Sequence, residues 1–326
     1  MRVYTLKKYN IEIIILYFSM DNKTTPCKDL YEENLLKLLN DRDFITKQQI
    51  QYYPNSDKFA VIIDPRFDNI MEAVIRNFMH FMNPYGWNLI IMSHSKYESV
   101  IREKFPNCHF KPLDENMIYY KENDNNNVPN ITIENYNNIL LDKTFWTSLP
   151  EPAEHICIFQ KDCIMFKMFQ DYFYLNYDYS GANYYNQKHT GVYYGGIQGG
   201  FSLRKKSAML ECLDIDLGQM RTYRIEQYMK YLQRMNICDD SQNINVFKDM
   251  LKEPVSEDVV FTIACEMLYK IVPDKVHRTF LSIEADVNLT TCVFHGWQYE
   301  YHNLATATHF LDTSSLFGKY INNIAD

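Results

Sequence analysis

The feature that most constrains the fold is an alternation of apolar runs and amphipathic segments that begins at residue 58. The run KFAVII, residues 58–63, is rich in β-branched residues and stops at Asp64, which predicts a buried strand. The segment at 69–83 has apolar residues at helical spacing, and residues 87–94 and 96–105 repeat the order of strand and helix. This order predicts an α/β domain with a mostly parallel sheet flanked by helices.

The remaining chain divides around this domain. Residues 1–55 have apolar positions at helical spacing and predict a largely helical N-terminal appendage; residues 56–300 form the domain, and residues 301–326 form a C-terminal extension. The run IEIIILYFSM, residues 11–20, resembles a weak signal peptide. It is, however, about half as long as a spanning helix, contains Glu12 and is not followed by a small-residue cleavage site. We expect it to form a buried strand or helix.

Three further stretches inside the domain predict secondary structure. The Asn-rich KENDNNNVPN, residues 121–130, predicts a loop. The segment YNNILLDKTFWTSL, residues 136–149, predicts one helix. The stretch EHICIFQKDCIMF, residues 154–166, predicts a strand, a polar interruption and a second strand.

Composition excludes several classes of protein. Of the 326 residues, 46% are hydrophobic, so the chain can bury a sizeable core and is not a disordered protein. The net charge of −8 argues against a broad nucleic-acid or membrane surface, because such contacts need a basic face. The eight cysteines form no CxxC pair, which disfavours a structural zinc site. Several of them lie in apolar runs, where free cysteine behaves as a small hydrophobic residue, so we expect a reducing compartment. No GxGxxG follows the first strand, so a dinucleotide-binding unit is poorly supported. The sequence also contains no P-loop motif and no GxSxG motif.

The polar interruption Gln160-Lys161-Asp162 contains the first candidate ligand. Asp162 is the only acid in the apolar stretch CIFQKDCIMF, and burying a carboxylate without a partner is costly. Ligands of open α/β sheets bind at the carboxyl ends of strands, and Mg²⁺ and Mn²⁺ prefer oxygen ligands. A metal ligand and a simple turn residue explain this motif equally well.

A glycine cluster supplies the second candidate. Four of the ten glycines lie at positions 195, 196, 199 and 200, directly before the strand-like FSLR. Glycine lets a ligand or another strand approach the backbone closely, so the cluster fits a loop beneath a bulky ligand. A mobile turn is the simpler explanation of the cluster alone.

Two further candidates lie downstream. Ser256 predicts a helix N-cap, and Glu257 and Asp258 follow in the first turn, where the helix dipole favours acids. Capping explains both acids, whereas a functional interpretation makes Asp258 a general base at a pocket. His295 follows a predicted strand and can complete a metal site begun by carboxylates, although a lone histidine is more often structural.

In this order the four features resemble the common core of the GT-A glycosyltransferases, which has a DxD-type metal site, a glycine loop, a Glu-Asp motif and a C-terminal histidine. The chain more closely resembles a glycosyltransferase-like family of bacteria, fungi and giant DNA viruses. Stretches such as GGFSLR, SEDVVF and FHGW, between residues 59 and 297, carry this resemblance. The chain departs from the pattern at Gln160, which replaces the first DxD acid; glutamine can hydrogen-bond a ribose but adds no charge.

The resemblance implies a GT-A fold and transfer of a sugar from a nucleotide sugar, with a uridine diphosphate sugar as our interpretation, to a hydroxyl of a carbohydrate or protein acceptor. It implies Mn²⁺ or Mg²⁺ held by Asp162 and His295. Asp258 would be the base of an inverting displacement, with Glu257 as the second catalytic residue, and a retaining route stays open. The donor-binding residues implied are Asp64, Arg66, Gln160, Asp162, Gly199 and Gly200.

Two other functions remain open at this stage. A non-catalytic protein that binds a carbohydrate or nucleotide sugar is favoured by Gln160 and disfavoured by Asp258 and His295. A nucleotide-sugar hydrolase would use the same metal without an acceptor. We expect no nucleic-acid partner, no membrane span and a cytoplasmic location, which for a viral protein means the host cytoplasm or the virion.

Overall fold

A six-stranded sheet forms the centre of the chain in the computed structural model, which describes residues 2–8, 11–17, 49–123, 126–165, 167–183, 197–234, 256–273, 278, 281–283 and 293–295. The strands in these residues are, in chain order, β1 Arg2–Lys8, β2 Ile11–Tyr17, β3 Lys58–Ile63, β4 Asn88–Ser93, β5 His109–Pro112, β6 Ile118–Asn123, β7 Asn126–Ile131, β8 His155–Phe159, β9 Cys163–Met165, β10 Tyr179–Asn183, β11 Ile197–Lys205, β12 Ser282–Ile283 and β13 Val293–His295.

Helices connect these strands and cover the sheet. The helices in the described residues are α1 Asn69–Met82, α2 Glu98–Lys104, α3 Ile133–Leu141, α4 Lys143–Thr147, α5 Asp171–Tyr174, α6 Lys206–Cys212, α7 Leu217–Arg234 and α8 Glu257–Met267. Short 3₁₀ turns occupy Asn83–Tyr85, Ser95–Tyr97 and Glu115–Met117. Within the described part of the chain, no helix is long and apolar enough to cross a membrane.

The central sheet has the order β10-β11-β8-β3-β4-β5. Strands β8, β3, β4 and β5 are parallel to one another, whereas β11 runs antiparallel to β8, and β10 runs antiparallel to β11. The predicted α/β fold with a mostly parallel sheet is therefore confirmed. The parallel strands place their carboxyl ends at one edge, where Asp64 and Gln160 follow β3 and β8 directly.

Both faces of the sheet are buried, as is usual for parallel strands. Successive side chains of a strand point to opposite faces. In β3, Phe59, Val61 and Ile63 belong to a core with α3, α4, α6 and α8, whereas Ala60 and Ile62 belong to a core with α1. This alternation explains why the strand sequence is continuously apolar.

Two capping aspartates set helix boundaries. Asp68 caps α1, because its Oδ1 accepts the Met71 N–H at 2.9 Å. Asp142 divides the helix predicted over residues 136–149 into α3 and α4: its extended backbone ends α3, and its Oδ1 accepts the Thr144 N–H at 2.8 Å to begin α4. The single-helix prediction is wrong for this reason.

The Asn-rich segment also differs from its prediction as a loop. Strands β6 and β7 pair antiparallel from Ile118 opposite Ile131 to Asn123 opposite Asn126. Isoleucine and two tyrosines in β6, and valine and isoleucine in β7, favour extended backbone, which outweighs the asparagines. This segment is therefore a β-hairpin.

The N-terminal segment contains strands where a largely helical appendage was predicted. Strands β1 and β2 pair antiparallel, with Arg2 opposite Tyr17. The isoleucine-rich run at residues 11–17 thus adopts the extended alternative, in keeping with the β-propensity of branched side chains. The predicted helical positions in residues 18–48 lie outside the described residues.

A small second sheet positions the loop that follows β8. Strand β9 pairs antiparallel with β13, which pairs parallel with β12. On its other side, β9 is held by the fully buried Asn77 of α1. The Asn77 Nδ2 donates to the Met165 carbonyl at 2.9 Å, and the Met165 N–H donates to Asn77 Oδ1 at 2.8 Å. The side chain thus serves as a strand partner for the end of β9.

We expect Asn77→Ala to lower the free energy of unfolding by about 2–4 kcal/mol, because it leaves two buried backbone groups of Met165 without partners. Denaturant unfolding measures the change. Asn69→Ala, at an exposed position on the same helix, is the control and should change stability by less than about 0.5 kcal/mol. A loss below about 1 kcal/mol for Asn77→Ala would show that the backbone of β9 is satisfied in another way.

Candidate active site

A cavity of about 460 Å³ opens at the carboxyl edge of the parallel strands. Its lining comes from separate segments: the residues after β3 and β8, the start of α3, the glycines of β11 and the first turn of α8. The predicted site residues that line it are Asp64, Arg66, Gln160, Asp162, Gly199, Gly200, Glu257 and Asp258. The fold therefore brings together residues that are up to about 190 positions apart in the sequence.

Asp64 and Arg66 form a rigid pair at the rim of the cavity. Arg66 Nε donates to Asp64 Oδ1 at 2.8 Å, and Arg66 Nη2 donates to Oδ2 at 2.6 Å. The Arg66 backbone N–H also donates to Oδ1, at 2.9 Å. Because both carboxylate oxygens bind the arginine, Asp64 is best suited to orient the guanidinium of Arg66.

A buried ion pair between Arg204 and Glu257 lies beneath the cavity. Arg204 Nη1 donates to Glu257 Oε2 at 2.8 Å, and Nη2 donates to Oε1 at 3.0 Å. The two side chains are 0% and 4% exposed. Burial raises the pKa of Glu257, and the guanidinium opposes that rise by stabilising the carboxylate. The pair joins β11 to the first turn of α8.

The surroundings of Arg204 hold the guanidinium in place. Its Cζ lies 5.0 Å from the ring centroid of Tyr179 and 5.3 Å from that of Phe261, so the cation lies against two aromatic rings. Arg204 Nε donates to Ser202 Oγ at 2.9 Å, and that hydroxyl donates to the Gly199 carbonyl at 3.2 Å. These contacts make the arginine a fixed support for the backbone that lines the cavity.

The ion pair also explains one glycine of the cluster. A Cβ at Gly199 would overlap Glu257 Oε1 and would lie 3.0 Å from Glu257 Cδ and 3.1 Å from Arg204 Nη2. Glycine is required there by the approach of a carboxylate of the protein itself, independently of any ligand. Gly195 and Gly196 lie outside the described residues.

The contacts of Glu257 bear on its predicted catalytic role. Both of its carboxylate oxygens bind Arg204. A carboxylate held in this way cannot accept a substrate proton without breaking a buried ion pair. In this arrangement Glu257 ties the first turn of α8 to Arg204 and lies against the side of the cavity formed by Gly199.

Asp258, the next residue, is half-buried and lines the cavity. Ser256 Oγ donates to its Oδ1 at 2.6 Å, and the Val259 N–H donates to the same oxygen at 2.7 Å. Ser256 occupies the predicted N-cap position, but its hydroxyl orients Asp258 and makes no capping bond. Within the described residues, Asp258 Oδ2 makes no hydrogen bond, so it is the oxygen suited to accept a proton.

Asp162 lies in the turn between β8 and β9, where the Cys163 N–H donates to the Gln160 carbonyl at 3.0 Å. In β13 the backbone of His295 pairs with Cys163, the residue directly after Asp162. Residues opposite each other in antiparallel strands have Cα atoms about 4.5–5.5 Å apart. The backbone of His295 is thus adjacent to the Asp162 turn, while its side chain lies outside the described structure.

This donor set fits a divalent cation that also binds phosphate. Among the described residues, no group of three or more histidine, cysteine, aspartate or glutamate side chains could hold a metal by itself. Mg²⁺ is commonly held by one or two carboxylates together with substrate phosphates, and Mn²⁺ accepts the same oxygen ligands. Asp162 supplies the carboxylate that such a site needs.

Sequence reasoning missed Arg204 as a site residue, although a signal was present. An arginine at the end of the apolar run GGFSLR has to be paired if the strand is buried. It also missed Tyr136 of α3, which lines the cavity and has its pKa raised by burial. Tyr136 follows the Asn-rich segment, and only the packing of α3 against the sheet brings it to the site.

We expect Glu257→Gln to lower the free energy of unfolding by about 3–5 kcal/mol, because it leaves the Arg204 guanidinium buried without a counter-charge. Denaturant unfolding gives the value. The double variant Arg204→Met/Glu257→Met should lose less stability than Glu257→Gln alone, since it removes both buried charges. If the double variant were the less stable of the two, the single loss could not be attributed to an uncompensated arginine.

Comparisons with known proteins give similarity to glycosyltransferases at low sequence identity. The galactosyltransferase LgtC, in complex with donor and acceptor sugar analogues, is 9% identical, with 79% of this chain and 95% of that chain covered and a TM-score of 0.42. The mannosyltransferase Ktr4p from S. cerevisiae is 10% identical, with 76% of this chain and 77% of that chain covered and a TM-score of 0.39. Mouse xyloside xylosyltransferase 1 is 11% identical, with 74% of this chain and 98% of that chain covered and a TM-score of 0.40.

The search of curated proteins finds no match. A family model does match, over residues 120–293, and these residues include the α3 side of the cavity, the Asp162 turn, the strand β11 and the first turn of α8. The matched region amounts to more than half of the chain. The chain therefore belongs to the family described as "Protein of unknown function (DUF5672)".

Proposed function

We propose that the chain is a glycosyltransferase that moves a sugar from a nucleotide sugar, with a uridine diphosphate sugar as the first candidate, to a hydroxyl of a carbohydrate or protein acceptor. One observation carries the proposal: the residues selected by the order of the sequence motifs, apart from His295, all line a single cavity. A cytoplasmic location, in a host cell or virion for a viral protein, stays a prediction.

The cavity suits a donor that carries phosphate groups. Its volume lies within the range of about 300–1,000 Å³ typical of small-molecule sites. Arg66 is oriented by Asp64 at one rim, and arginine is well suited to binding phosphate oxygens. Gln160 can hydrogen-bond a ribose, and Gly199 and Gly200 present backbone rather than side chains to the donor sugar.

Asp162 and His295 are the residues that would hold Mn²⁺ or Mg²⁺. When bound, the cation would neutralise the negative charge that develops on the diphosphate leaving group. Asp162 reaches the cavity from the turn after β8, and the pairing of β13 with β9 brings the backbone of His295 to the same turn.

Asp258 is the proposed general base. Its Oδ1 is anchored by the Ser256 hydroxyl and the Val259 N–H, so Oδ2 is the oxygen that would accept the proton of the acceptor. As the acceptor oxygen forms a bond to the anomeric carbon, the bond from that carbon to the diphosphate oxygen breaks, and the acceptor proton moves to Oδ2. This is a single displacement with inversion.

We expect Asp258→Asn to lower the rate of sugar transfer by about 10²–10⁴-fold, because the amide cannot accept the proton. Its Oδ1 can still accept the bonds from Ser256 and Val259, so the fold and the donor affinity should be retained. Product analysis with a panel of nucleotide sugars and acceptors measures transfer, and calorimetry measures donor affinity. Asp142→Asn, which changes a helix-capping aspartate outside the cavity lining, is the matched control and should keep full activity.

The same assay separates the other functions. Full activity in Asp258→Asn would reject the base assignment and favour a retaining route. Release of free sugar by the wild-type protein without acceptor would identify a nucleotide-sugar hydrolase. Donor binding without transfer to any acceptor would support a binding protein, the function that Gln160 favours.

We expect Asp162→Asn to weaken the Mn²⁺-dependent part of nucleotide binding, because the amide is a poorer ligand for a hard cation than the carboxylate. Calorimetric titration of UDP with and without Mn²⁺ gives that part as the ratio of the two affinities. The ratio should fall toward one in the variant, while affinity in the presence of a chelator should change little. An unchanged ratio would remove Asp162 from the metal site.

A further inference from the structure

Lys161 is a cationic residue of the cavity that the proposed reaction does not use. It lies between Gln160 and Asp162 in the turn after β8 and lines the cavity with them. Its side chain is 16% exposed, so most of it is buried.

The ammonium of Lys161 is held by Asp68. Lys161 Nζ donates to Asp68 Oδ2 at 2.5 Å, while Asp68 Oδ1 caps α1 through the Met71 N–H. Burial opposes ionisation of Asp68, but the charge and hydrogen bond of Lys161 lower its pKa below the ordinary value, so the carboxylate stays charged. The Asp68 side chain is 44% exposed, and such solvated pairs are weak and readily rearranged.

The other charged residues of the cavity have different ion-pair partners from Lys161. Arg66 is bound by both oxygens of Asp64, and Glu257 is bound by Arg204 from below. Two carboxylates, Asp162 and Asp258, also line the cavity. Of the described lysine and arginine residues of the lining, Lys161 is the one bound through a single carboxylate oxygen, and it lies next to Asp162 in the chain.

We propose that Lys161 binds the diphosphate of the donor. Its ammonium carries three N–H donors, so it can keep one bond to Asp68 and donate to phosphate oxygens with the others. Asp68 is fixed by the helix that it caps, whereas the four-carbon stem of lysine is flexible, so the lysine is the partner that adjusts. This inference rests on the proposed function, because that function supplies the diphosphate.

The charges of the Gln160-Lys161-Asp162 turn determine whether a diphosphate can bind without a metal ion. This turn carries one acid and one cation, so it has no net charge. A diphosphate can therefore approach it without a metal ion, and a bound cation adds to an affinity that already exists. Lys161 thus provides the part of diphosphate affinity that survives removal of divalent cations.

The test is titration of UDP, GDP and inorganic pyrophosphate into the full-length protein, in a chelator and in Mn²⁺, at low and high salt. In the chelator at low salt, Lys161→Met should lower the affinity for UDP and pyrophosphate about 10-fold, as expected for loss of a charged hydrogen bond. Uridine, which lacks phosphate, should bind equally to both proteins. Added salt should reduce the difference, because it screens charge. Lys161→Arg should restore most of the affinity.

Two further variants control for fold and for general charge. Lys104→Met removes a lysine whose ammonium is also 2.5 Å from a carboxylate, that of Glu72 on α1, but which does not line the cavity; it should leave affinity unchanged. Asp68→Asn keeps the helix cap, since asparagine caps well, and releases Lys161; affinity should stay the same or rise.

The outcomes distinguish this inference from the proposed function. Wild-type protein that binds UDP, with Lys161→Met within twofold of it, would overturn the lysine assignment and leave the glycosyltransferase proposal standing. Wild-type protein that binds pyrophosphate through Lys161 but binds no nucleotide would support the lysine assignment and count against the nucleotide-sugar donor. Absence of binding to all three probes would reject both.

Discussion

The ion pair between Arg204 and Glu257 is the interaction on which the cavity depends. Taking two charges out of water is costly, and the attraction of a pair offsets that cost only with good geometry and further hydrogen bonds. The pair meets this condition: both carboxylate oxygens bind the guanidinium, whose cation also lies against Tyr179 and Phe261. Because Arg204 lies near the end of β11 and Glu257 begins α8, the pair sets where the glycines and Asp258 lie relative to each other.

The fold could be predicted wherever local pattern and tertiary environment agree. The continuously apolar runs of β3, β4 and β8 indicate strands buried on both faces, and the structure has them there. The break at Asp142 could not be found from periodicity, because apolar residues continue at helical spacing on both sides of it. The β6–β7 hairpin could not be predicted for a different reason. Asparagines dominate the composition of this segment, whereas its strand propensity comes from the isoleucine, tyrosine and valine residues that lie among the asparagines.

The sequence predicts where the site residues lie better than it predicts what each of them contacts. Residues at strand ends and helix starts converge in an open α/β sheet, and Asp64, Asp162 and Asp258 accordingly line one cavity. The role of Glu257 could not be deduced, since an acid in the first turn looks the same whether it faces the helix dipole, a substrate or a buried arginine. The close contact of its carboxylate with Gly199 is likewise a property of the packing of β11 against α8.

Two ion pairs lie next to acids that line the cavity. Glu257 neutralises Arg204 beneath the cavity, so that the residue next to it, Asp258, does not face an uncompensated buried cation. A similar pair lies at the turn after β8, where Asp68 binds the ammonium of Lys161, the residue next to Asp162. In each case one acid binds a cation directly beside another acid that lines the cavity.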